Sequence, residues 1–353
     1  MTFDKVVERS WSGNRLMTVL IELTYRCNLD CFFCYNDLGL RGTPVTFEQY
    51  AAFLRDLAAM NVLTVTLSGG EPLAHPDFFR IGALARELGF VVRIKSNGHA
   101  LRGDLARRLR EEVDPFVVEV SLHGACAETH DRQTRVAGSF ERLIPNIREM
   151  LSLGLRVKVN STLTRWNEHE IAEMYALTDS LGVPLRFDLQ VSPRDDGDRE
   201  PLEVAPTPEG IRSLIAIDNE RFARAHPGPA PSEIRKPVID DEMPASAGKH
   251  CGAGSAGIAI DPYGNVYPCV QWRRPVANLH EQSIAELWGS NEKLEGIRAE
   301  TMLAHDVVAK HPRGRLLNFC PGLAEILTGS ATTVPAEMES QAAIVDAATT
   351  VTN

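Results

Sequence analysis

No run of about eighteen apolar residues occurs anywhere in the 353-residue chain, so no segment reads as a membrane-spanning helix. The opening MTFDKVVERSWSGNRLMTVLIEL also lacks the apolar core of a signal peptide, because Asp4, Glu8 and Arg15 precede only a short apolar run. Excess positive charge is missing too. The net charge of -10 argues against a general nucleic-acid binder, whose affinity would rest on neutralising phosphates with Lys and Arg. Without an export signal the chain is expected in a reducing cytoplasm, where its seven cysteines are better read as metal ligands or catalytic thiols than as disulfides.

What the chain does contain is ordinary globular composition, 44% hydrophobic and 24% charged, which excludes disorder over most of its length. Six β-branched runs lie at 17–23, 62–67, 91–95, 116–122, 156–163 and 185–191, with amphipathic helical stretches between them. That alternation reads as successive right-handed βαβ units around a parallel sheet. The two architectures open at this point are a doubly wound sheet and an incomplete barrel. The segments after the runs are TYRCNLDCFFC, SGGEP, SNG, HGAC, TRWN and SPRDDGD. Polar, Gly-rich and Cys-bearing residues thus gather at the C-terminal ends of the strands, where barrel active sites are built.

Beyond residue 192 the rhythm stops. A charged, proline-dotted linker, a helix near 210–226 and a second proline-rich loop fill 193–250. From Cys251 a compact unit follows, with AGIAIDPYGNVYPCV reading as a β-hairpin turned by Asp-Pro-Tyr-Gly-Asn. The tail after Gly329 is expected to fray, or to form one weak helix over AEMESQAAIVDAA.

Cys27, Cys31 and Cys34 have the spacing C-x3-C-x2-C. Zinc normally takes four ligands and no fourth Cys or His is near, whereas three thiolates suit a [4Fe–4S] cube with one open iron. Here the sequence resembles the radical S-adenosylmethionine (SAM) enzymes, whose hallmark C-x3-C-x-aromatic-C is completed by Phe33. The resemblance covers roughly residues 15–190 and implies a partial (β/α)6 TIM-like barrel. It also implies a SAM-binding [4Fe–4S] cluster on Cys27, Cys31 and Cys34, reductive cleavage of SAM to a 5′-deoxyadenosyl radical, and hydrogen abstraction from substrate.

Further segments match in order. SGGEP resembles the stretch that binds the SAM amino group, with Gly69 and Gly70 allowing close approach and Glu71 accepting from the ammonium. KSNG and SLHG resemble the ribose- and carboxylate-contacting segments and point to Asn97 and Ser121. HDRQTR resembles the stretch ending in a carboxylate-pairing arginine, which implies Arg135. Asn160 matches the fifth-strand region near the adenosine, with surface capping by Asn167 the alternative use of that turn. Asp188 and Gln190 are candidate substrate contacts, since residues two apart on a strand share a face. Cys126 is expected to be a small, partly buried thiol. His123 and His130 are read as turn or capping residues, with an approach to the SAM pocket the alternative.

Downstream, Cys251, Gly264 and Cys269 form C-x12-G-x4-C, similar to the start of the SPASM or twitch extension of peptide-modifying family members, and Cys320 matches a later ligand. The resemblance implies one auxiliary [4Fe–4S] cluster on Cys251, Cys269 and Cys320. A full SPASM domain has seven cysteines, so a second auxiliary cluster lacks thiols here. His250 is a candidate fourth ligand, for the cluster or for a structural zinc.

These resemblances give an expected organisation of lead-in (1–14), partial barrel (15–192), linker and helix (193–250), auxiliary-cluster unit (251–329) and tail (330–353). The expected function is a maturase of a ribosomally made peptide, or a dehydrogenase, epimerase or decarboxylase of a small metabolite such as a sugar or nucleoside. A non-catalytic iron–sulfur or zinc protein is the reading from outside enzymology. Expected partners are the precursor peptide or small substrate and an electron donor such as flavodoxin or ferredoxin. A strand beginning by residue 17 leaves no room for an N-terminal peptide-recognition domain, which makes a separate recognition protein a further partner.

Overall fold

Alternation with a period of two builds the first half of the molecule. In each strand one set of side chains is apolar and buried (Val19 and Ile21; Val65 and Leu67; Val92 and Ile94; Val118 and Val120), so it must face a covering layer of helices. The intervening set is mostly polar and faces inward, as Thr18, Thr66, Arg93, Lys95, Glu119 and Ser121 do beside the apolar Leu20. The computed structural model describes residues 3–226, 248–314 and 316–350. Most of the second proline-rich loop, expected within 193–250, lies outside the described residues.

Helix α1 (Phe3–Ser12) precedes β1 (Thr18–Glu22), α2 (Phe47–Ala59) and β2 (Thr64–Ser68). The order continues with α3 (Phe78–Glu87), β3 (Val91–Ser96), α4 (Gly103–Arg108), β4 (Val117–Ser121), α5 (Ala127–Thr134) and α6 (Ser139–Ser152). Strand β5 (Val157–Thr162), α7 (Ile171–Leu181), β6 (Leu185–Asp188) and α8 (Pro208–Ala225) complete the first part. Each of the six expected strands overlaps its β-branched run, with β2 and β3 extending one residue past it to Ser68 and Ser96. Capping sets the helix starts where the sequence supplies it: the Thr46 hydroxyl accepts from Gln49 N while the Gln49 side chain accepts from Thr46 N.

Six parallel strands run in sequence order, and β1 then pairs, also in parallel, with β7 (Gly257–Ile260). Antiparallel β8 (Asn265–Tyr267) and β9 (Ala277–Asn278) continue outward, so the hairpin of the expected second unit extends the barrel sheet itself. Asp261 makes the turn as the sequence implies: its Oδ1 accepts from Tyr263 N at 2.8 Å and Asn265 N at 2.9 Å, and Gly264 adopts φ +81°.

Helices α9 (Ile284–Gly289), α10 (Glu292–Lys310), α11 (Pro321–Thr328) and α12 (Ala336–Thr350) follow. The last corrects the expectation of a fraying tail. Helix α12 packs on α8 and buries Met338, Ala342 and Val345, with Arg313–Asp346 (3.1 Å) and His311–Glu339 (2.6 Å) pinning its flank. Ala-rich spacing hides that face from a pattern search, because small residues carry little amphipathic contrast. Among the described residues no helix is long and apolar enough to cross a membrane.

Candidate active site

The loop after β1 carries the first three cysteines and is held from several sides. Asp30 N donates to Thr134 O and Phe32 N to Gln133 O, both at 3.1 Å, while Cys34 N closes on Cys31 O at 3.1 Å. Burial, reinforced by Cys34 and Cys27, pushes the Cys31 thiol up, and burial raises Cys34 to about 11 and lifts Cys27 as well. All seven cysteines are free. Three free thiols on one loop suit thiolate ligation of an iron–sulfur centre.

A chamber of about 330 Å³ opens beside this loop. Cys27, Cys31, Cys34 and Phe33 form one wall, and Gly69, Gly70 and Asn97 another. Ser121, Asn160, Asp188 and Gln190 close it toward the barrel axis, so eleven of the sequence-predicted residues meet in one place. Asn97 donates through Nδ2 to Asn28 Oδ1 (2.8 Å) and to Cys27 Sγ (3.7 Å), tying the third strand's loop to the cysteines. Phe33 packs its ring on His123 with centroids 4.7 Å apart.

Two expected contacts are placed otherwise. Glu71 turns inward, where its carboxylate accepts from Ser96 Oγ (2.9 Å), Asn97 N (2.8 Å) and Leu73 N (3.2 Å), and it does not line the chamber. The glycines before it are required by the chain itself. A Cβ on Gly69 would stand 2.4 Å from Thr24 O and one on Gly70 2.6 Å from Arg26 O, because this turn crosses the loop after β1. Arg135 caps α5 at φ 56° and reaches the cysteine loop, with Nε donating to Asp30 O (2.8 Å) and the guanidinium pairing with the Asp30 carboxylate (2.7 Å). It orients the loop from behind.

Burial moves Glu71 from its ordinary 4.5 up to about 7, against the opposing donors Asn97 N, Leu73 N and Ser96. A folded pKa above the unfolded one gives stability that is full at low pH and is lost as pH rises through about 7. Relative to Glu71→Gln, the wild-type protein is therefore expected to lose about 3 kcal/mol between pH 4.5 and 7. Urea denaturation at the two pH values checks this, and an unchanged difference would remove the buried-carboxylate account.

Three smaller expectations are corrected. Cys126 is exposed, its Sγ 3.2 Å from Glu170 Oε1. Asn167 is fully buried and braces the β5 loop through His123 O and Thr162 O. His123 lines the chamber in place of a turn role; burial, with His130 beside it, lowers it to about 3 and keeps it neutral.

Asn36 escapes motif reading. Its Oδ1 is buried at the chamber wall without a donor while its Nδ2 reaches Gly69 O at 3.4 Å. Such an orphaned acceptor fits an ammonium entering beside the glycines. A second missed feature lies behind the cysteine loop. Arg273, from the loop after Cys269, forks onto Glu22 through two 2.8 Å bonds and meets Asp195 at 2.9 Å, while the Tyr25 and Tyr35 hydroxyls donate to the same Glu22.

Cys251 precedes β7, Cys269 follows β8 and Cys320 caps α11, and Gly254 N donates to Pro268 O (3.0 Å) to hold the first two loops together. Burial, with a contribution from neighbouring cysteines, raises Cys251 and Cys320 to about 12, which places Cys269 beside both of them. His250 Nε2 donates to Phe319 O at 2.7 Å. Among the described residues no three His, Cys, Asp or Glu side chains already converge on a single point as metal ligands.

A parallel partial barrel with a thiol triad at its strand ends, a chamber beside it and a second triad on a sheet extension fits the class of iron–sulfur enzymes that take a cosubstrate beside the cluster. Residues 21–178 match the model of the radical SAM superfamily, and residues 251–313 match that of the SPASM iron–sulfur cluster-binding domain. The pre-heme d1 synthase of Dinoroseobacter shibae is 30% identical over 301 residues, 78% of this chain and 74% of that one. The mycofactocin maturase MftC of Mycobacterium ulcerans is 31% identical over 253 residues, 70% of this chain and 66% of that one. Native anSMEcpe with bound AdoMet and Kp18Cys peptide shares the fold, with a TM-score of 0.69 at 15% identity over 95% of this chain and 99% of that one. The chain belongs to the radical SAM superfamily: it is an enzyme that uses SAM and iron–sulfur clusters and carries a SPASM domain.

Proposed function

We propose that the protein modifies a ribosomally made peptide, whose reacting residue enters a cavity between the two thiol triads. One observation carries this reading. A cavity of about 610 Å³ shares Glu119, Ser121, His123, Asn160 and Asp188 with the SAM chamber and is bounded on its far side by Cys251 and Phe319. A group held there is reached from the SAM chamber on one side and from the auxiliary triad on the other. The names of the mycofactocin maturase and of the peptide-bound anSMEcpe support a peptide as the guest.

In this reading Cys27, Cys31 and Cys34 hold the SAM-binding cluster, and Cys251, Cys269 and Cys320 hold the auxiliary one. Phe33, Gly69, Gly70, Asn97, Ser121 and Asn160 position SAM, with Asn36 accepting from its ammonium. Glu71 fixes the Asn97 loop, and Arg135 fixes the cysteine loop. When bound, cluster and SAM supply a 5′-deoxyadenosyl radical that removes a hydrogen atom from substrate. Asp188 and Gln190 face the shared wall and orient the reacting bond. His123, neutral and packed on Phe33, keeps that wall dry. Flavodoxin or ferredoxin supplies the electron, and a separate recognition protein delivers the peptide.

The cavity's volume favours a second reading, a small-molecule substrate, since about 300–1,000 Å³ is the usual range for such sites. The heme-d1-related name of one relative points the same way. Coexpression with precursor peptides encoded beside the gene, read by mass spectrometry, separates the two. A mass shift that disappears in Cys34→Ala supports the peptide, and an unmodified peptide alongside SAM cleavage stimulated by a small metabolite refutes it.

A further inference from the structure

The inner cavity is charged in a way that the chain as a whole is not. With a net charge of -10, the protein nonetheless lines this space with Arg93, Lys95, Lys158 and Arg186 against two carboxylates, Glu119 and Asp188. The cations come from three strands at inward positions. Lys95 on β3 stands beside Glu119 on β4, Glu119 stands beside Lys158 on β5, and Asn160 stands beside Arg186 on β6.

Glu119 cannot serve them all. One carboxylate oxygen is taken by Arg93 and the other by Asn160 Nδ2 at 2.7 Å. Among the described residues, neither the Lys95 nor the Lys158 ammonium has a hydrogen bond or an ion pair. Burial, then repulsion from Arg186, Arg93 and Lys95, lowers the Lys158 pKa despite Glu119. Burial keeps His123 neutral, so it adds no charge to the excess. Like charges grouped on one cavity wall repel one another, and an entering anion relieves that repulsion.

We propose that this cavity recognises its substrate through carboxylate groups, held by Lys158 and Arg186. The inference rests on the reading of the cavity as the substrate site and names the chemistry that enters it. Planar carboxylates suit the guanidinium fork of Arg186, and the lysine adds a point charge on the neighbouring strand. The carboxylates come from acidic side chains of a peptide or from a free small acid.

Calorimetric titration of the reconstituted, unreduced, SAM-saturated enzyme tests this. The probes are tricarballylate and its triamide, and the end-blocked peptides Gly-Glu-Tyr-Glu-Gly and Gly-Gln-Tyr-Gln-Gly. At least one acid is expected to bind about tenfold or more tighter than its amide partner. Lys158→Met and Arg186→Met, which lie outside the SAM chamber, should each erase most of that preference while SAM binding persists. A tighter peptide assigns the carboxylates to a peptide, and a tighter tricarballylate assigns them to a free acid; both uphold the proposal. Equal affinity of acids and amides, no binding of any probe, or an acid preference that survives both substitutions overturns it.

A second readout separates binding from support. Lys158→Met should raise the melting midpoint of the substrate-free enzyme, because it removes a like charge. A fall below wild type would make the lysine a structural residue and overturn its assignment. A peptide modified in coexpression with no acid preference leaves the proposed function standing without this inference. An acid-selective cavity in an enzyme that leaves its peptide untouched does the reverse.

Discussion

Cys34→Ala is expected to abolish 5′-deoxyadenosine formation when the reconstituted enzyme is given SAM and dithionite, with product falling to the level of a protein-free control. The thiol stands in a wall built by three cysteines, and among the described residues no further cysteine lines the chamber. Two thiolates hold a cube poorly, and SAM loses its iron anchor with it. Because Cys34 N bonds to Cys31 O and the loop is also held by Thr134 O and Gln133 O, the backbone has reason to survive the change. Iron should drop by about four per chain while the far-UV spectrum is kept. Product formation above control in this variant would remove the cysteine loop from the chemistry.

Arg273→Met should cost about 3–5 kcal/mol of folding stability, the largest effect expected of any substitution outside the cysteines. The guanidinium is only 10% exposed and Glu22 is 0% exposed, so the variant strands a buried carboxylate that two tyrosine hydroxyls cannot neutralise. Burial alone would favour the neutral guanidine, but Glu22 and Asp195 outweigh it and hold Arg273 charged. Glu22→Gln in the same background should recover much of the loss, since the residual charge goes with it. Urea midpoints of the two single variants and the double variant measure the coupling, and additive losses would show that the pair is not the source. The same arginine joins the end of β1, the cysteine loop through Tyr35 and the loop after Cys269. Its loss should therefore also loosen the alignment of the two triads.

Local signals made the barrel legible. Strand runs and helical stretches differ in period, and each of the six strands was readable from five to eight residues of β-branched alternation. The cysteine triads were legible because metal ligands carry their own spacing. Partnerships across the chain were not: Arg273 and Glu22 lie 251 residues apart, and nothing local in either segment announces the other. Glu71 shows a subtler limit. SGGEP marks the turn, yet only the packed loops decide that the carboxylate points at Ser96 and Asn97 rather than into the chamber. The cavity cations were visible in VVRIK and RVKVN as every second residue. Alternation of that kind ordinarily means a solvated face, and only barrel curvature turns it inward.

In the proposed function two clusters, one per thiol triad, flank the substrate. Iron and sulfide analysis of the anaerobically reconstituted protein, together with electron paramagnetic resonance with and without SAM, tests it most directly. Wild type should hold about eight irons, and replacing Cys27, Cys31 and Cys34 together should leave about four and no SAM-dependent signal. Replacing Cys251, Cys269 and Cys320 together should also leave about four, with the SAM-dependent signal intact. About four irons in wild type, unchanged by loss of the second triad, would contradict it.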